Sequence, residues 1–278
     1  MINGHTQLFG IIGRPVTHSM SPAMHNAAFA ELGINGVYVP MQPDNLQQGF
    51  QGLRELGFIG VSVTVPFKVE IMEFLDHIDP VAQKIGAVNT LLFERSESGQ
   101  VISHGSNTDW LGSNQALSQE LTLPGSTVLI IGAGGAARAV GFGLIEAGAR
   151  VIITNRTESK GKELAAQLGC SFVAATDLAT IQADALINTT SVGMHPHVDG
   201  LPIAGELLDR FSVVMDIVYA PLQTRLLREA ALRGCRTIDG LQMLLHQGAA
   251  QFSLWTGQAA PLATMREALL RELQSRVT

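Results

Sequence analysis

The run Ser126-Thr-Val-Leu-Ile-Ile131 leads straight into Gly132-Ala-Gly-Gly-Ala-Ala137. β-Favouring residues followed by a glycine-rich turn predict a strand, a tight turn and then a helix, here Ala136 to Ala147. A second apolar run, Arg150 to Thr154, comes at the distance a strand–helix–strand unit requires. In that context the glycines let backbone approach a pyrophosphate closely, and the opening N–H groups of the helix face it, as in a dinucleotide-binding turn. Asn155-Arg156-Thr157 stands where a site for NAD carries Asp or Glu on the ribose 2′-hydroxyl. A cationic fork there suits a 2′-phosphate, so NADP is the expected cofactor.

Outward from this unit, strand-like and helix-like patterns alternate, which predicts an α/β protein with largely parallel sheets. Strands are expected at Leu8 to Ile12, Val37 to Met41, Val61 to Val65 (stopped by Pro66) and Thr90 to Phe93. Ser21-Pro22 reads as N-cap and first residue of a helix that ends at Gly33, and a second helix covers Leu46 to Leu56. The helix Thr108 to Glu120 and the turn Leu123-Pro-Gly125 precede the phosphate-binding unit. Further strands are expected at Ala185 to Asn188, Val213 to Val218 and Arg236 to Ile238, and helices at Leu241 to Trp255 and Pro261 to Ser275. The last two are expected to pack back on the N-terminal part. The domains are thus residues 1–108 plus 241–278, an N-terminal α/β substrate domain discontinuous in sequence, and residues 109–240, a doubly wound Rossmann-type NADP domain.

The 278 residues carry a net charge of −6, with 46% hydrophobic and 15% charged, enough for two domains with cores of their own. Mild acidity without a basic patch argues against nucleic acid. The two cysteines, Cys170 and Cys235, fit a reducing compartment and give no disulfide framework. No signal peptide and no membrane-spanning run are expected, which points to a cytoplasmic protein.

Two domains imply a cleft, with the nicotinamide end of the cofactor expected to point into it. Chemistry is therefore sought on N-terminal loops and strand ends. Lys68 follows the strand end at Pro66, and Asp109 opens a helix behind Asn107 and Thr108. Hydride transfer to a carbonyl needs a proton donor, and the reverse needs a base; a lysine held by a carboxylate serves both. From spacing alone, the two could equally be unrelated surface charges. Ser19 and Ser21 beside a helix start could clasp a carboxylate, or act as loop residue and cap. Asn89 could hold a hydroxyl or shape a turn, and Gln247 could join it or be solvated. His195-Pro-His197 lacks metal-ligand spacing, so no metal is expected. His18 and His25, near the serine loop, could touch a substrate or be bystanders.

Several segments in order resemble the shikimate dehydrogenase family. They are His18-Ser-Met-Ser-Pro22, Val63-Thr-Val-Pro-Phe-Lys68, Gly86-Ala-Val-Asn-Thr90, Asn107-Thr-Asp109, Gly132-Ala-Gly-Gly-Ala136, Asn155-Arg-Thr157, Asp216-Ile-Val-Tyr-Ala-Pro221 and Gln247-Gly-Ala. The resemblance implies a reversible NADPH-dependent reduction of 3-dehydroshikimate to shikimate in aromatic amino-acid and chorismate biosynthesis. It implies Lys68 and Asp109 as the catalytic pair. Ser19, Ser21 and Tyr219 would bind the substrate carboxylate, and Thr64, Asn89 and Gln247 its hydroxyls, with Lys68 and Asp109. Gly132, Ala133, Gly134, Gly135, Ala136, Asn155, Arg156, Thr157 and Lys160 would hold NADP, with Ile217 and Gly240 approaching the nicotinamide. Lys160 replaces a common arginine of the family, and Ser62 replaces a common asparagine. The implied partner is a small-molecule substrate, with no nucleic acid and no membrane; a homodimer stays open. Two alternatives remain: a quinate/shikimate dehydrogenase using NAD as well as NADP, and a non-catalytic dinucleotide sensor.

Overall fold

The computed structural model describes residues 2–276. The chain divides into two compact units, Met1–Thr108 with Gln247–Thr278, and Asp109–His246.

The first unit is built on a six-stranded sheet. Its chain order is β1 (Gln7–Ile12), α1 (Ser21–Glu31), β2 (Gly36–Met41), α2 (Leu46–Glu55), β3 (Phe58–Val63), β4 (His77–Ile78), α3 (Pro80–Ile85), β5 (Thr90–Arg95) and β6 (Val101–Ser106). The spatial order is β2-β1-β3-β5-β6-β4. Parallel pairing holds for β1 with β2 and β3, as alternation of strand and helix predicts, but β5 runs antiparallel to both β3 and β6. The sheet is therefore mixed. The strand β6, Val-Ile-Ser-His-Gly-Ser, is absent from the sequence reading because only its first two residues are apolar.

Period-two alternation splits β3 between two environments. Val61 and Val63 pack with Phe50, Leu53, Ile71 and Leu91 on one face. Gly60 and Ser62 point to the other. β3 ends at Val63, two residues before the expected Val65, which is exposed at 67%.

The second unit is a parallel six-stranded sheet. Following α4 (Asp109–Ser118) come β7 (Thr127–Ile131), α5 (Gly135–Glu146), β8 (Arg150–Thr154), α6 (Glu158–Leu168), β9 (Ser171–Phe172), β10 (Ala185–Asn188), β11 (Val213–Asp216), α7 (Arg225–Leu232) and β12 (Arg236–Ile238). The spatial order β12-β11-β10-β7-β8-β9 is the 3-2-1-4-5-6 order of a doubly wound dinucleotide fold read from its other edge. Both faces are covered: Val128 and Ile130 enter one core and Leu129 and Ile131 the other. That is why these strands read as unbroken apolar runs.

The chain closes with α8 (Gly240–Thr256) and α9 (Leu262–Ser275). Residues 241–246 were expected with the N-terminal unit, yet they belong to the second, where Met243 is buried in its core. From Gln247 onward α8 packs on the first unit's sheet. The Trp255 ring lies on Gly60, where an added Cβ would come within 2.5 Å of it, and the indole N–H donates to the Leu91 carbonyl at 2.9 Å.

Candidate active site

In the first unit, the loop between β1 and α1 carries Ser19. The Arg276 guanidinium pins this loop by donating to the carbonyls of His18 and Ser19 at 2.7 and 3.1 Å. Ser21 was expected as N-cap, but it is the first helical residue and Met20 is the cap. Methionine has no oxygen to accept a helix N–H, so Ser19 Oγ accepts from the Ser21 amide at 3.2 Å instead. The structure thus brings the two serines together.

Past β3, the Thr64 amide still donates to the Ile12 carbonyl at 2.9 Å, and a turn closes as Phe67 N–H donates to the Thr64 carbonyl at 3.0 Å. Lys68 sits half-buried in that turn. Its carbonyl accepts from Val88 N–H at 2.8 Å, which ties the lysine's backbone to the segment carrying Asn89. Asn89 is buried at the start of β5. Its Oδ1 accepts from the Thr108 amide at 2.8 Å and the Thr90 hydroxyl at 2.6 Å. Its Nδ2 donates to Thr108 Oγ1 at 3.1 Å and to Gln247 Oε1 at 3.4 Å. Asn89 and Gln247 are therefore neighbours. His25 is not placed to meet a ligand: it is fully buried, with its ring stacked on Tyr38 at 4.5 Å.

In the second unit, Asp109 is the first residue of α4 and is buried. The turn after β7 has the geometry a pyrophosphate needs. Gly132 adopts φ +123°, and a Cβ there would run into the Thr189 hydroxyl. Gly134 is the N-cap of α5, no side chain caps it among the described residues, and space is open where its Cβ would stand. The opening N–H groups of α5 are thus left without a side-chain acceptor, as an anion site requires.

At the end of the neighbouring strand β8, Asn155 Nδ2 donates to the Thr157 carbonyl at 2.8 Å and shapes the turn into α6. Arg156 and Lys160 are exposed, and neither makes an ion pair among the described residues. The nearest carboxylate in sequence, Glu158, is engaged by Lys162 at 2.8 Å. Two uncommitted cations and no carboxylate in the turn fit the 2′-phosphate of NADP.

The third segment of this unit follows β11. That strand stops at Asp216, not at the expected Val218, because Asp216 Oδ1 takes the Val218 N–H at 3.0 Å and turns the chain out of the ladder. Asn188 Nδ2 and the Thr224 hydroxyl also donate to this carboxylate, at 2.9 and 2.7 Å. Burial nevertheless pushes Asp216 up to about 6. The loop so anchored carries Ile217 and the half-buried Tyr219. Gly240 meets Ile217 directly, since a Cβ at 240 would run into the Ile217 carbonyl.

Thr90, Thr108, Asn188, Asp216, Thr224 and Gln251 support the site without having been assigned a role from the sequence, although Thr90, Thr108 and Asp216 lie in its quoted segments. Two signals were available. Asn188 and Asp216 end adjacent strands in register, and Gln251 lies one helical turn beyond Gln247.

Comparison with known proteins agrees with this arrangement. The profile of the shikimate dehydrogenase substrate binding domain matches residues 11–91, that of shikimate/quinate 5-dehydrogenase residues 114–198, and that of the shikimate 5′-dehydrogenase C-terminal domain residues 240–270. A shikimate dehydrogenase (NADP(+)) of Methanothermobacter thermautotrophicus is 46% identical, over 98% of this chain and 99% of its own. A shikimate dehydrogenase crystallised in complex with NADP+ superposes with a TM-score of 0.90 at 41% identity, covering 98% of both chains. A quinate dehydrogenase from Corynebacterium glutamicum in complex with NAD gives 0.86 at 30% identity, covering 96% of this chain and 99% of that one. With matches of that extent along its whole length, the chain belongs to the shikimate dehydrogenase family.

Proposed function

We propose that the protein catalyses 3-dehydroshikimate + NADPH + H⁺ ⇌ shikimate + NADP⁺. One observation carries the cofactor assignment: the cationic, carboxylate-free turn Asn155–Thr157 and the uncapped α5 stand at the ends of neighbouring strands. When bound, NADPH supplies the hydride. Gly132 to Ala136 would hold its pyrophosphate, and Arg156, with Lys160, Asn155 and Thr157, would hold the 2′-phosphate. The backbone at Ile217 and Gly240 would approach the nicotinamide.

Lys68 and Asp109 serve as the acid–base pair. In reduction Lys68 donates a proton to the oxygen of the ring ketone, and its positive charge stabilises the oxyanion as it develops. In oxidation the same nitrogen takes the proton back. Ser19, Ser21 and Tyr219 bind the substrate carboxylate, while Thr64, Asn89 and Gln247 orient the ring hydroxyls. Two cysteines without a disulfide fit a reducing compartment, and no helix among the described residues is long and apolar enough to cross a membrane. We assign the enzyme to the cytoplasm and its reaction to the route toward chorismate and the aromatic amino acids.

Quinate oxidation with NAD⁺ is the competing reading, because one matched profile covers both substrates. Identity favours shikimate and NADP, at 46% against 30%. The test is kcat/KM for shikimate and quinate, each with NADP⁺ and NAD⁺. Shikimate with NADP⁺ is expected to lead; equal or better turnover of quinate with NAD⁺ reverses the assignment.

A further inference from the structure

A chain of buried polar side chains runs through the first unit beneath Asn89. Gln251, on α8, is 1% exposed. Its Nε2 donates to the Asn89 carbonyl at 3.1 Å and to the Thr90 hydroxyl at 2.9 Å. A backbone carbonyl can only accept, so the amide nitrogen must face it and Oε1 must face the other way. There Ser62 donates its single proton to Oε1 at 2.7 Å, and accepts in turn from the Tyr38 hydroxyl at 2.6 Å. Burial raises the Tyr38 phenol, so it stays protonated and remains a donor. On the other side, Thr90 accepts from Gln251 and so gives its own proton to Asn89 Oδ1.

At its shortest contacts the chain of donations runs from Tyr38 through Ser62 to Gln251, and from Gln251 through Thr90 to the Asn89 carboxamide; Thr90 also lies 3.5 Å from the Thr108 hydroxyl. With the Thr108 amide also donating to it, Oδ1 is committed inward, which fixes the side chain against a flip of oxygen for nitrogen. A fully satisfied buried polar network rigidifies the groups that it connects.

We propose that Gln251 is a positioning residue for Asn89. Supported by Ser62 and Thr90, it locks the Asn89 carboxamide with its nitrogen edge toward Gln247, where a ligand oxygen would take the place of the long 3.4 Å bond to Gln247 Oε1. Ser62, whose hydroxyl is spent on Gln251 and Tyr38, contributes to this support and not to ligand contact. The proposal rests on the assignment of Asn89 to a substrate hydroxyl.

The test is a kinetic double-mutant cycle with shikimate and NADP⁺. Gln251→Leu is expected to raise KM for shikimate about tenfold, the usual consequence of misplacing one hydrogen-bond partner, with KM for NADP⁺ unchanged. Added to Asn89→Ala, it should raise KM for shikimate no further, because its effect passes through Asn89. Ser62→Ala, which removes only the donor to Oε1, should give a smaller shift of the same kind and keeps the test open if Gln251→Leu does not fold. A change below twofold in Gln251→Leu, or in Ser62→Ala where that variant stands in for it, overturns the proposal. So do effects that simply add to those of Asn89→Ala, which would mark a general packing role. Failure of the unaltered enzyme to oxidise shikimate overturns the assigned reaction instead, so the two failures are distinct.

Discussion

His25 offers a test of the first unit's interior that is independent of catalysis. The ring is fully buried among Tyr38, Phe252 and Trp255, and neither of its nitrogens has a hydrogen-bond partner among the described residues. Burial lowers its pKa from 6.5 to about 3. The folded protein therefore refuses a proton that the unfolded chain accepts, so stability is full above the unfolded value and falls as pH drops toward the folded one. Between pH 7.5 and pH 5 the linkage relation makes this loss about 2 kcal/mol. The variant His25→Leu removes the titration and both unpartnered atoms while leaving an apolar side chain. The difference in unfolding free energy between the two proteins cancels every other group that titrates. It should shift by about 2 kcal/mol in favour of the variant over that pH range. Urea unfolding followed by fluorescence is suited to the measurement, because Trp255 lies 5.3 Å from the His25 ring and Trp110→Phe silences the only other tryptophan. A difference that stays constant within about 0.5 kcal/mol would refute the reasoning, since it would mean the ring keeps its proton when folded.

Asp216 should behave in the opposite sense. Its carboxyl is raised from 3.8 to about 6, so stability is gained as pH falls through that window and lost as pH rises. Against Asp216→Asn, the unaltered protein should gain about 2 kcal/mol between pH 7 and pH 4, and a flat difference in a denaturant series would contradict this. Lys68→Ala should lower kcat by about 10²–10⁴ with a smaller change in KM, the span expected for loss of a placed acid–base group; a normal kcat excludes that role. Arg156→Ala should raise KM for NADP⁺ about tenfold or more while leaving NAD⁺ within about twofold, because only the 2′-phosphate is lost to it. Equal effects on both coenzymes would remove Arg156 from the phosphate site.

What could be read along the chain is what depends on near neighbours. The turn Gly132–Ala136 announces itself because strand, glycines and helix start lie within a dozen residues, and the phosphate-binding chemistry is carried by that local backbone. The parallel strands of the second unit were legible as continuous apolar runs, since both their faces are covered. Other features were settled only when distant segments met. The antiparallel β5–β6 hairpin was hidden by a polar strand, β3 ended at Val63 and left Val65 exposed, and Ser21 entered its helix while Met20 became the cap. Ser62 and Gln251 stand 189 residues apart, and nothing in either local stretch says that one will spend its proton on the other. Likewise His25 looks like any loop-side histidine until three aromatic rings close around it. Backbone conformation is chosen largely by adjacent residues. The partner of a buried hydroxyl, amide or imidazole is chosen by whatever packing brings within about 3 Å, and that is decided in three dimensions.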